Sequence, residues 1–485
     1  MSEKPIRRRA RPRQWRQINF PKRGIYRISP NPKRPIQQRA IELWDRVRAS
    51  IRSTLLWIVI AAICVLAGLH YLAPLPLLLA AAFFLFRPHE QPLVLRLDDD
   101  FGTDSAEFLS TLAGVTGVPM LPGNRLQIYN NGDEFYPAIL DAVRNAQFSI
   151  TMEQYIFATS TIAREFAEAC AERAQQGVRV KLLVDAVGSG SLSAEIIRIL
   201  QSSGCELRWF HPIRWYNLHR VNNRTHRKSI ILDGQTAFTG GAGLDDHWRG
   251  NARNHREWRD LQIRIDGPAV TPLQTGFAFN WLVTTGEVIT GPRYYPVLEP
   301  AEGIEVQTVL SSPKGDMYTA SILYQLAIQC SRQSIYITNP YFVPSDQTIT
   351  LLEEAVARGV QVKVIAPGAH NDSWWARMNI VRLYGKLLRA GVEIYEYEPA
   401  MIHQKTMLVD HIWATVGTAN FDDRSFRLNE ESNVCFYDPD LVAQLRKIFF
   451  DDLAKSHRVV EEDWTSRGLR HRVAELAASL IQDQV

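Results

Sequence analysis

Cysteine is scarce and follows no pattern. The 485 residues hold five (Cys64, Cys170, Cys205, Cys330 and Cys435), with no CxxC spacing among them. Neither a thiolate metal site nor a disulfide framework is indicated, and the expectation is reduced core thiols in a reducing compartment. Positive charge is in excess at the N-terminus and in net deficit over the remainder taken together. Residues 1–52 hold 16 Lys/Arg against 3 Asp/Glu, so an overall net charge of +4 leaves −9 on the rest of the chain. An acidic body argues against a nucleic-acid groove, which works by neutralising many phosphates. Charge of either sign is absent from residues 54–86.

That uncharged run is longer than the about 20 residues one membrane-spanning helix needs, and short for two full spans. Pro74 and Pro76, in HYLAPLP, stand where a hairpin would turn. The expectation is a span over Thr54–Tyr71 and a shorter or re-entrant arm over Leu75–Phe86. A cleaved signal peptide fits badly, because the apolar region is too long and starts too late. The basic tail, residues 1–53, is rich in Arg, Pro and Gln and reads as disordered. By the positive-inside rule it stays cytoplasmic, and a hairpin returns the remainder to that side, whereas a single crossing puts it outside. Residues 87–120 read as a linker with one short helix, in which Asp98, Asp99 and Asp100 are a solvated run without a partner pattern for a metal.

From Leu121 onward the pattern is α/β and it repeats. FSITMEQYIF (148–157) matches QSIYITNPYF (333–342), AERAQQGVRVKLLVD (171–185) matches EAVARGVQVKVIAP (354–367), and GCELRWFHP (204–212) matches GVEIYEYEP (391–399). Strand, helix, Gly turn and buried strand recur in one order, predicting two layered halves over 121–297 and 298–485. A pseudo-twofold axis between them would bring equivalent segments to a common interface. Leu469, Val473, Leu476 and Leu480 add a C-terminal helical stripe over Leu469–Ile481.

Each half ends its repeat on the same motif. THRKSIILDGQTAFTGGAG contributes His226, Lys228, Asp233 and Gly240, and IHQKTMLVDHIWATVGTANF contributes His403, Lys405, Asp410 and Gly417. Residues i and i+2 of an extended chain project together, so each His shares a face with its Lys. Asp233 and Asp410, five residues past the Lys, need not share that face and read as supports for the motif turn. Two imidazoles and two ammonium groups, without metal-ligand spacing nearby, suit an anionic phosphorus centre. Lysines would bind the non-bridging oxygens, one imidazole would attack phosphorus, and the other would protonate the leaving oxygen. Spacing does not order the two histidines.

The doubled HxK(x)4D(x)6G pattern resembles the phospholipase D superfamily. The similarity runs through most of 121–460, including EWRDLQIRIDGPAV (257–270), NPYFVP (339–344) and NFDDRSFRLNEESN (420–433). With the hydrophobic hairpin it looks most like the bacterial cardiolipin synthase branch. The resemblance implies two α/β halves around one active site and metal-independent phosphatidyl transfer, without a cofactor, through a phospho-histidine. It makes His226 the nucleophile and His403 the general acid/base. It places Asn420 after the second motif's Gly, where the first copy has Gly243, so the halves are not equivalent. It assigns Asp260 and Glu431 to carboxylates that orient the opposed histidines. Trp209, Phe210, Trp215, Tyr216, Trp248, Trp374 and Trp375 would thicken the mouth of a lipid site. The implied substrates are phosphatidylglycerol and also phosphatidylethanolamine, at a bacterial inner membrane. A phospholipase D releasing phosphatidic acid, and a non-catalytic lipid-binding membrane protein, are the alternatives.

Overall fold

The computed structural model describes residues 61–68, 72, 74–77, 95–212, 223–298, 302–312 and 319–465. The chain divides into two units, Met1–Gln91 and Pro92–Val485. In the first, residues 61–66 and 74–77 are helical, so Pro74 and Pro76 lie within helical residues. Among the described residues no helix is long and apolar enough to cross a membrane. Most of the expected hairpin lies outside the described residues, as do the basic tail, the stripe at Leu469–Ile481, Trp215 and Tyr216.

The second unit is built on one long sheet. The first repeat supplies β1 (Leu121–Asn130), β2 (Ser149–Gln154), β3 (Arg179–Asp185), β4 (Glu206–Phe210), β5 (Ser229–Leu232), β6 (Thr236–Gly240) and β7 (Leu261–Asp266). The second supplies β8 (Ile304–Ser311), β9 (Ser334–Thr338), β10 (Gln361–Pro367), β11 (Glu393–Tyr397), β12 (Thr406–Val409), β13 (Trp413–Gly417) and β14 (Glu431–Tyr437), with β15 (Ser456–Arg458) at the outer edge. From the middle outward the orders are β1-β7-β6-β5-β2-β3-β4 and β8-β14-β13-β12-β9-β10-β11, and β1 pairs antiparallel with β8. Equivalent strands meeting antiparallel at the centre are what a pseudo-twofold axis requires. The repeat is also longer than the sequence matches indicated. The helices Gly132–Asn145 and Thr319–Cys330, and the closing helices Val270–Thr285 and Pro439–Leu453, recur as well.

The inner strands β2, β5, β9, β12 and β13 are buried on both faces, which is why they read as apolar runs and not as alternation. Leu182 and Val184 of β3 pack with Phe166 and Ile196 on the helical side. Leu183 between them faces the other way, into a core with Phe277, Trp281, Ile365 and Phe449. That second core contains residues of both halves and welds them together. In half two, Val362 and Val364 turn to the helix side with Leu352 and Leu383.

The region read as a linker carries the helix Ala106–Thr116. Ser105 Oγ caps it by accepting from Phe108 N at 3.2 Å, and Gly117 closes it in the left-handed region at φ 68°. Phe108 and Leu112 are fully buried in the core of half two, with Phe108 edge-on to Trp413 at 6.0 Å. This helix is part of the folded unit. Phe108→Ala is expected to lower unfolding stability by about 3–5 kcal/mol, as large aromatic deletions in closed cores do. Denaturant titration checks it, and a loss under about 1 kcal/mol would show that the helix is peripheral.

Candidate active site

Both HxK segments stand just ahead of β5 and β12, not inside them, and each is paired with the opposite half. Thr225 bridges Glu430 in parallel, with His226 N donating to Glu430 O at 2.9 Å and Glu430 N to Arg224 O at 3.0 Å. Ile402 bridges Arg259, with His403 N donating to Arg259 O at 2.7 Å and Arg259 N to Met401 O at 2.8 Å. These short cross-half ladders hold each histidine beside the residue that follows its bridge partner.

Those following residues are the carboxylates Glu431 and Asp260. His226 Nδ1 lies 3.0 Å and 3.1 Å from the two oxygens of Glu431, and His403 Nδ1 lies 2.9 Å from Asp260 Oδ2. Each imidazole is thus oriented by an acid from the other half. A carboxylate only accepts, so Nδ1 carries the hydrogen and the Nε2 lone pair points away from it. The carboxylates are fixed differently. Thr418 Oγ1 donates to Glu431 at 2.6 Å, and Trp248 Nε1 donates to Asp260 at 3.0 Å. Gly241 stands where Thr418 stands in the second copy, and a Cβ there would lie 2.4 Å from Asp260 Oδ1. Trp248 has taken over the donor's task, and its ring also lies 3.3 Å from where a Cβ on Gly243 would be. The missing Asn at Gly243 therefore has a local steric cause. Asn420, its counterpart, keeps its Oδ1 buried and without a hydrogen-bond partner.

All four motif cations and imidazoles are buried. Burial, with the Lys228 and Lys405 ammonium groups, lowers His226 to about 4 against the pull of Glu431. Burial and the Lys405 ammonium lower His403 to about 3. Burial also lowers Lys228 to about 7 and Lys405 to about 8, with each lysine's neighbours including carboxylates that oppose it. Burial raises Glu431, but the His226 contact and Lys228 outweigh it and leave its proton affinity below normal. Both imidazoles are therefore neutral at neutral pH; Nε2 of His226 is then available as a nucleophile or base, while Lys405 Nζ stands 3.0 Å from each ring nitrogen of His403. Lys228 Nζ donates to His226 O at 3.0 Å and lies over the Tyr155 ring, while Lys405 Nζ donates to His403 O at 2.7 Å.

The motif aspartates sit elsewhere. Asp233 and Asp410 occupy the β5–β6 and β12–β13 turns at φ 54° and 56°. Asp233 accepts from the N–H groups of Gln147, Phe148 and Ser149, and Asp410 from those of Arg332, Gln333 and Ser334. Each ties its hairpin to the start of β2 or β9 and is a support, not a reacting group. A Cβ on Gly240 or Gly417 would lie 2.4 Å from Leu261 O or Ser432 O, the residues directly after the two carboxylates. Glycine there lets β6 and β13 close onto the strands that carry the acids.

Sequence reading passed over Trp248 as a donor to Asp260, and Arg259 and Glu430 as bridge residues. The available signal was a charged residue immediately before each carboxylate. Of the aromatics expected at a mouth, Phe210 and Trp248 are core residues, and Trp374 and Trp375 are exposed. Asp100 of the acidic run pairs with Arg332. All five cysteines are free thiols, and four are buried. Among the described residues no group of three or more His, Cys, Asp or Glu could hold a metal ion.

Comparison with known proteins agrees with this geometry in its extent. The family described as "Cardiolipin synthase, PLD-like domain" matches residues 139–265 and 324–453, one match per half. Cardiolipin synthase 2 of Bacillus anthracis is 34% identical over 404 residues, covering 82% of this chain and 75% of that protein. A cardiolipin synthase of Geobacillus kaustophilus is 34% identical over 400 residues, covering 81% and 76%. Among solved structures, a phosphatidylserine synthase of Haemophilus influenzae superposes with a TM-score of 0.60 at 14% identity, covering 78% of this chain and 100% of that one, a likeness of fold.

Proposed function

The chain belongs to the cardiolipin synthase family with phospholipase D-like domains, and from that premise we propose that it joins two phosphatidylglycerols into cardiolipin with release of glycerol. It is a phospholipase D-type phosphatidyltransferase. The observation that carries the finer reading is the reciprocal pairing of His226 with Glu431 and His403 with Asp260, each beside a buried lysine.

The phosphodiester anion binds against Lys228 and Lys405, and its negative charge raises the proton affinity of the histidines once it is in place. His226 Nε2 attacks phosphorus, the P–O bond to the glycerol headgroup breaks, and His403 gives that oxygen its proton. The neutral His403 then takes the proton from a hydroxyl of a second phosphatidylglycerol, whose oxygen displaces His226 and forms cardiolipin. The ammonium groups stabilise the charge that grows on the non-bridging oxygens in both steps. Asp260 and Glu431 hold the tautomers through the two Nδ1 atoms. The uncharged residues 54–86 serve as a membrane hairpin, keeping the basic tail and the catalytic unit on the cytoplasmic side of a bacterial inner membrane.

The test is the full chain in vesicles of labelled phosphatidylglycerol, with and without phosphatidylethanolamine. Cardiolipin with glycerol is expected, and phosphatidic acid alone would replace transfer by hydrolysis. In the same vesicles, a cysteine engineered beside Arg87 should label from the side that labels the tail, and labelling from opposite sides would show a single crossing.

A further inference from the structure

A buried polar chain runs beneath His226 and crosses between the halves. Thr225, the residue before the histidine, donates from Oγ1 to Glu153 Oε1. Asn280 Nδ2, from the closing helix of half one, donates to the same oxygen at 2.7 Å and also to Glu430 Oε2. Arg227 Nη1 pairs with Glu430 Oε2 at 3.1 Å, and its remaining nitrogens donate to Glu431 O at 3.3 Å and Ser311 O at 3.1 Å. Glu153, Asn280, Glu430 and Arg227 are all buried. The chain thus touches both sides of the bridge that sets His226 against Glu431.

Its charges do not balance. Two carboxylates face one guanidinium, and Glu153 Oε2 and Asn280 Oδ1 are buried without a hydrogen-bond partner. The equivalent place under His403 is balanced. There Arg259 Nε pairs with Asp452 Oδ1 at 2.8 Å, Gln404 Nε2 donates to Asp452 Oδ2 at 2.8 Å, and Arg259 Nη1 donates to Asn131 Oδ1 at 2.9 Å. An ionised carboxylate without its own cation in a dry interior is costly, so the member lacking a direct cation contact is the one to carry a proton.

We propose that Glu153 is a positioning residue for His226 that acts in its protonated form, and that Thr225–Glu153–Asn280–Glu430–Arg227 sets the geometry of the nucleophile. This rests on the assignment of His226 to the reaction. Burial first, and the Glu430 carboxylate after it, raise Glu153 to about 7 against the pull of Arg227. Arg227 and Glu430 are the charged groups that act on it most strongly. Ionisation would add a negative charge one residue from His226, repelling the incoming phosphodiester and straining the double donation from Asn280.

Two readouts on the full chain test the idea. The first is independent of turnover: thermal midpoints of the wild type and Glu153→Gln against pH. A proton affinity raised in the fold stabilises fully below about 4.5 and is lost as pH rises through about 7, so the midpoint of E153Q relative to wild type should climb across that window and then level. A difference that does not vary with pH overturns the neutral-acid assignment. The second is cardiolipin formation from phosphatidylglycerol vesicles. The wild-type to E153Q ratio of kcat/KM should be flat in acid and fall as pH passes about 7. Glu153→Ala and Asn280→Ala, which break the chain, should lose kcat about tenfold or more at every pH, with E153Q restoring most of it. E153A at wild-type kcat would overturn the positioning role. If the midpoints titrate as expected while wild type makes no cardiolipin, the acid assignment stands and the proposed function fails.

Discussion

His226→Ala and His403→Ala are each expected to lower cardiolipin formation by about 10⁴-fold or more, but the two losses should differ in kind. In the proposed mechanism His226 supplies the attacking Nε2, so its removal would leave no nitrogen to form the P–N bond. His403 supplies only a proton to the departing glycerol oxygen, and a leaving group that needs no proton makes it dispensable in the first step. With phosphatidyl-p-nitrophenol, His403→Ala should therefore release one equivalent of nitrophenol and accumulate an acid-labile phosphatidyl-protein, while His226→Ala releases none. A burst from His226→Ala and none from His403→Ala would reverse the two roles. Near-native turnover by either variant would remove the two-histidine mechanism altogether.

Glu431→Gln should be almost as damaging, with kcat lowered roughly 10²–10⁴-fold, although no reacting atom is touched. Glu431 only accepts, and it faces His226 Nδ1 at 3.0 Å with both oxygens within 3.1 Å. Glutamine can present its amide N–H to Nδ1, which moves the ring hydrogen to Nε2 and occupies the lone pair meant for phosphorus. It also removes the negative charge that stabilises the imidazolium-like phospho-histidine. Thr418 Oγ1 still has an oxygen to donate to, so the fold is preserved and thermal stability should change little. The expected signature is a fall in kcat with KM nearly constant. A kcat within threefold of wild type would mean that Glu431 is a structural ion-pair partner and not the orienting acid. Asp260→Asn should lower kcat as well: Oδ2 accepts from Trp248 Nε1 and faces His403 Nδ1 while Oδ1 accepts from Leu261 N, so an amide NH2 on either side gives up an acceptor that the site uses.

Much of this was legible before any coordinate. The i, i+2 spacing of His226 with Lys228 and of His403 with Lys405, repeated with matching Asp and Gly positions, implied a two-cation, two-imidazole site. The matched strands imply duplication, and Asp233 and Asp410, whose spacing does not require them to share the Lys face, read as supports. Other features were illegible for identifiable reasons. Trp248 reads as one more aromatic at a mouth, yet it is buried and donates to Asp260; a Cβ on Gly241 would crowd that carboxylate, and one on Gly243 would crowd Ile156 and the Trp248 ring. Residues 87–120 read as a linker because one short amphipathic helix carries little periodic signal, while Phe108 and Leu112 find their core in half two, far along the chain.

Residue type and short-range spacing determined the make-up of the site, since a histidine and lysine two apart in extended chain must project together whatever the rest of the molecule does. Only the tertiary structure decided who orients whom. The histidine–carboxylate contacts join residues 205 and 143 positions apart, across a twofold axis created when β1 and β8 pair. Local propensity contains no term for such a contact. The same packing decided that the halves differ, with a balanced ion pair beneath His403 and an unbalanced pair of carboxylates beneath His226. That difference arises from which side chains of the opposite repeat reach the site, and neither motif states it alone.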